Sequence, residues 1–117
     1  MVAILLLINI LYALLLVVGG LIATIPTGAG GSIPDEVLHG SASGLQAALL
    51  FWFFGIRMRP RRAIVAGVVC ATLFGAMVEA LQLLQPARTV ELKDLLANAV
   101  GACLVGVVIA LVGRSRS

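Results

Sequence analysis

The residue with the clearest chemical potential is Glu79, an acid about two turns inside an otherwise apolar segment. An ionisable group in hydrocarbon costs roughly 2.5–3.5 kcal/mol on insertion scales, so Glu79 is predicted to face protein or a water-filled cavity rather than lipid. Gly67, Ala71, Gly75 and Glu79 recur every four residues, which puts a stripe of small side chains on one helical face leading up to the carboxylate. Gln82 follows three residues on, near the same face. A second segment repeats the pattern: Glu91, Asp94, Asn98 and Gly101 are spaced by three, four and three residues, again one face of a helix. A third carries Asp35, His39 and Ser43 at intervals of four, with Gly40-x-x-x-Gly44 beside them.

Carboxylates and an imidazole together can move a proton or hold a polar ligand. Segments joined by a short loop pack antiparallel, so Glu79 and Asn98 are expected at one depth and within hydrogen-bonding reach. Arg88 and Lys93 flank the acids and can attract an anionic group. A metal site can be drawn from Asp35, His39 and Glu79, but the chain has one histidine and no paired-ligand spacing. Neither a metal nor any other cofactor is therefore expected. No serine or cysteine stands beside a base in a nucleophile motif, and Cys70 and Cys103 are expected to pack as small apolar groups. The plainer reading of Glu79, Gln82 and Asn98 is an interhelical network that stabilises the bundle by about 1 kcal/mol per bond. Against it, an amide would serve that purpose more cheaply than a carboxylate.

The segments that position these residues are membrane spans. Of the 117 residues 62% are hydrophobic and 11% charged, with a mean hydropathy of +1.17. A soluble domain carries about a quarter of its residues as charges, so a water-soluble fold is excluded. The net charge of +3 does not point to nucleic acid, because the basic residues gather at segment ends rather than on one face. The expected fold is all-α, a single transmembrane domain over 1–117 with about four spans at 2–25, 39–56, 63–84 and 92–112. The first span lacks a basic leader and is longer than a signal-peptide core, so it is expected to be a mature helix. Arginines at 57, 59, 61 and 62 form one connection, and Arg114 and Arg116 follow the last span. Basic connections stay cytoplasmic, which predicts cytoplasmic N and C termini, with Asp35, Glu36, Glu79, Glu91 and Asp94 in the outward half. The three polar lines then define an outward-facing pocket.

In order and spacing these residues resemble the VanZ-like family of small bacterial membrane proteins. The resemblance covers about residues 33–108 and rests on Asp35-x-x-x-His39, a basic turn, Glu79-x-x-Gln82, Pro86-x-Arg88, Asp94-x-x-x-Asn98 and Gly101-Ala102. Glu36 and Ser43 stand where the family often has a lysine and an aromatic residue. The resemblance implies a multi-pass protein of the bacterial cytoplasmic membrane, some of whose relatives are linked to tolerance of teicoplanin-type glycopeptide antibiotics. It implies Asp35, His39, Glu79, Gln82, Arg88, Asp94 and Asn98 as the polar positions, and it assigns no reaction.

Three functions follow as expectations. In the first, the pocket engages an anionic lipid head group or envelope precursor. The second is a structural accessory subunit docking on a larger membrane complex through its small-residue and aromatic faces. The third is an enzyme acting on a lipid-linked substrate, which requires His39 and Glu79 within reach of each other.

Overall fold

The computed structural model folds the chain into four α-helices: α1 (Val2–Ile22), α2 (Asp35–Phe54), α3 (Pro60–Gln82) and α4 (Leu92–Ser115). It describes residues 1–22, 35–82, 84 and 92–115, without the side chains of 20–22, 35, 36, 38, 82, 114 and 115. The fold is all-helical, with no strand among the described residues. Helices α1, α3 and α4 are long and apolar enough to cross a membrane. The 20-residue α2 does not reach that standard among the described residues. Its first twelve positions include Asp35, Glu36, His39, Ser41, Ser43 and Gln46.

Five helix ends differ from the expected spans by two to four residues; among them α2 ends at Phe54 rather than 56 and α4 at Ser115 rather than 112. Helix α2 begins at Asp35 rather than His39, because acidic residues in a first turn are stabilised by the helix dipole. Helix α3 begins at Pro60 rather than Ala63: proline has no N–H to leave unpaired and its φ is already helical. The Ala63 N–H donates to the Arg59 carbonyl at 2.9 Å and closes that first turn. At its far end α3 stops at Gln82, two residues short of the expected boundary. Residues 23–25 of the first expected span lie outside the described residues.

The core is made of small side chains. Ala47, Ala63, Ala71 and Ala102 are buried, with Leu50 and Val68 packed against three of them. Large apolar residues such as Leu14, Leu73, Leu104 and Leu111 are exposed. Water would drive those leucines inward, whereas lipid is as apolar as they are and leaves the interface to residues that let backbones approach. Small inside and large outside is therefore the packing expected of a bundle solvated by hydrocarbon.

Glycines fix the register. A Cβ on Gly67 would lie 2.9 Å from the Ala47 carbonyl oxygen and 3.2 Å from the Phe51 nitrogen, so α3 runs backbone to backbone along α2. One on Gly75 would meet the Asn98 side chain at 2.8 Å, and one on Gly106 the Val68 side chain at 2.8 Å, which aligns α3 antiparallel with α4. Gly101 meets the backbone of Gly40 so closely that a Cβ there would fall on the Gly40 carbonyl. Helix α2 packs the most extensively of the four, chiefly against α4 and α3. The helix that falls short of a span's apolarity is thus the central one, where its polar residues find protein instead of lipid. Helix α1 is held against it by two hydrogen bonds: the Asn9 amide donates to the Leu49 carbonyl (3.3 Å) and the Tyr12 hydroxyl to the Ala42 carbonyl (2.7 Å).

Candidate functional site

Antiparallel register carries three side chains to one end of the bundle. Gly67 lies against Phe51. Twelve residues forward along α3 and twelve back along α2 stand Glu79 and His39. Gly75 lies against Asn98, and four residues forward on α3 and four back on α4 stand Glu79 and Asp94. The levels agree because antiparallel α-helices rise equally per residue in opposite directions.

The side chains meet accordingly. His39 Nδ1 is 3.3 Å from Glu79 Oε1, and His39 Nε2 is 3.8 Å from Asp94 Oδ2, so one imidazole stands between two carboxylates from two other helices. Glu79 is 3% exposed as a residue, while the His39 and Asp94 side chains are 21% and 15% exposed. The cluster is therefore buried at the Glu79 side and reachable at the other. Asp94 lies in the first turn of α4, a position that suits an acidic residue. When the ring carries both protons, each nitrogen presents a donor to one acid.

Below the cluster the polar line continues into α2. Ser43, one turn from His39 on the same face, is 3% exposed, and Gln46 is nearly as buried. Ser43 Oγ and Asp94 Oδ1 are buried without a hydrogen-bond partner. Such an atom forgoes its hydration without replacement, at about 1–3 kcal/mol.

The expected positions sort as follows. His39, Glu79 and Asp94 come together. Asn98 is buried, but its side chain is seated against Gly75, one turn away from the level of Glu79, and Asp94 takes the place at that level. Asp35 and Gln82 stand on α2 and α3 with their side chains outside the described residues, and Arg88, with Glu91, lies outside them altogether. Lys93 is exposed beside Asp94. The packing residues Gly67, Ala71, Gly75 and Gly101 all lie in helix contacts. Cys70 and Cys103 are free. The His39–Glu79 contact also meets the geometric condition set above for an enzyme.

Asn9, Tyr12 and Gln46 join the polar interior without having been singled out in the sequence. Their signal was present: Asn9 and Tyr12 are polar residues three apart in an apolar run, and Gln46 continues the His39, Ser43 spacing. The three-residue cluster can hold or relay a proton, accept donors from a ligand, or ligate a cation. No protein-family model, curated protein or solved structure matches this chain.

Proposed function

We propose that this chain is a VanZ-like, multi-pass protein of the bacterial cytoplasmic membrane whose polar pocket faces outward and engages an anionic lipid or envelope-precursor head group. The observation that carries the reading is the convergence of His39, Glu79 and Asp94 from three helices at one end of the bundle. Keeping two acids and an imidazole at membrane level is expensive, and α2 joins the bundle through the same polar face. In this reading all four helices cross the membrane, α2 doing so because its neighbours cover it.

Charge placement supports the orientation. Met1 and Gly55 line one shallow cavity at the end of the bundle away from His39, and the end of α4 comes to the same end by its antiparallel register with α3. Arg61 and Arg62 occupy the first turn of α3, where the helix dipole disfavours cations. Their presence there is accounted for by retention on the cytoplasmic side, which puts both termini in the cytoplasm and the cluster outside. Arg88 and Lys93 then draw the anionic group, and His39 exchanges a hydrogen bond or proton with it.

A second reading, catalysis on a lipid-linked substrate, is favoured by the 3.3 Å contact between His39 and Glu79, the arrangement of a general base with its orienting acid. Both readings share one test. Expressed in a teicoplanin-sensitive host, the wild-type chain raises tolerance, whereas the Glu79→Gln and Arg88→Ala variants insert to equal levels and lose most of the gain. Equal tolerance in wild type and variants contradicts the proposed role.

A further inference from the structure

We propose that His39, Glu79 and Asp94 bind a first-row divalent cation, with Zn2+ the best fit, leaving a coordination position open at the exposed edge of the cluster. One donor atom from each residue lies within 4.8 Å of the other two. Zinc bonds of about 2.0–2.2 Å place tetrahedral donors roughly 3.3–3.6 Å apart, so the 3.3 Å between His39 Nδ1 and Glu79 Oε1 already has the spacing of a ligand pair. Asp94 faces the other ring nitrogen, Nε2, at 3.8 Å, and its carboxylate lies within 4.8 Å of the pair, so bringing it to ligand spacing takes a closure of up to about 1.5 Å by rotation of side chains, Asp94 being in the first turn of its helix. One imidazole and two carboxylates form a mixed nitrogen and oxygen set, which suits borderline cations better than Mg2+ or Ca2+.

Two further observations point to a cation. Ser43, buried one turn beneath His39 on the same face, has a hydroxyl without a partner, and Asp94 has a buried oxygen without one. The cluster therefore presents more buried oxygen acceptors than its own N–H groups fill. Three helices also supply one donor each, so the ion would clasp α2, α3 and α4 where the alanine core does not reach.

The proposal deepens the head-group reading: an acid-lined pocket repels an anion, and a bound cation with an open position would receive a phosphate or carboxylate directly. That clause rests on the proposed function, but the metal site itself does not, so it is measured without any head group. Tag-free protein in a neutral detergent is titrated with Zn2+ by calorimetry and its retained metal determined by elemental analysis. The expected result is saturable binding of a single ion per chain, tighter for Zn2+ than for Mn2+. His39→Gln and Asp94→Asn should each weaken binding by at least about tenfold, while Glu36→Gln leaves it unchanged. Variants that fail to fold are replaced by a Co2+ spectrum of the wild type, which should show the visible bands of a tetrahedral nitrogen and oxygen site. No retained Zn2+ in the wild type, equal binding by folded His39→Gln, or a Co2+ spectrum of the hexa-aquo ion overturns the site. Binding without any gain in teicoplanin tolerance upholds the site and counts against the function, and tolerance without binding does the reverse.

Discussion

Gly101→Val should unfold or loosen the bundle, with loss of stability at or beyond the upper end of the roughly 1–3 kcal/mol range for overpacking. The Cβ it adds falls on the Gly40 carbonyl, which belongs to helix backbone and cannot turn aside as a side chain would. Relief requires α2 and α4 to separate, and His39, the neighbour of Gly40, would move away from Asp94. Gly113→Val in the same helix is the control, because nothing lies within 4 Å of its added Cβ. Thermal unfolding in detergent should leave Gly113→Val within about 0.5 kcal/mol of wild type. Similar losses from the two variants would contradict the close crossing of α2 and α4.

Replacing the cluster as a whole is expected to separate function from scaffold. Apolar substitution of an entire buried ionic group is often neutral or stabilising by about 1–4 kcal/mol, whereas removing one member strands the others. The triple variant His39→Leu, Glu79→Leu, Asp94→Leu should therefore melt at or above the wild-type temperature and confer no antibiotic tolerance. Glu79→Leu alone should melt lower. A triple variant that collapses would show the cluster to be the structural network that a buried carboxylate does not need to be.

These variants address what sequence could and could not reveal. Glu79 was legible because a carboxylate in an apolar run has few tolerable surroundings, and the four-residue stripe Gly67, Ala71, Gly75 told which face it occupied. Its level against α4 was not legible. Gly75 against Asn98 puts Asp94, one turn away from Asn98, at the level of Glu79, so a shift of one turn in how α3 pairs with α4 decides between an amide and an acid. Periodicity gives the face of a helix, while the level depends on where the chain turns, and helix ends are the least determined feature of a sequence. The central place of α2 was hidden for a different reason. Hydropathy measures transfer to hydrocarbon, and a helix covered by other helices is not solvated by hydrocarbon, so the polar face with Ser43 and Gln46 lowers its apparent fitness as a span while equipping it for the interior. Asn9 and Tyr12 carry the same lesson in miniature: within α1 they are interruptions, and against α2 they are donors to the Leu49 and Ala42 carbonyls.

The accessory-subunit expectation can also be weighed in physical terms. Gly40, Gly44, Gly67, Gly75, Gly101 and Gly106 all meet other helices of this chain, so these small-residue faces are occupied internally. Trp52, at 58% exposure, belongs to the aromatic group on which that idea would rest.

Because the chain contains a single histidine, the imidazole nitrogens of a 15N-histidine sample report on the cluster without any assignment problem. In metal-free protein, Glu79→Gln should shift chiefly the Nδ1 resonance and Asp94→Asn chiefly the Nε2 resonance, since each acid faces a different ring nitrogen. If neither substitution moves either signal, His39, Glu79 and Asp94 do not form one site, and the functions assigned to it fall with it.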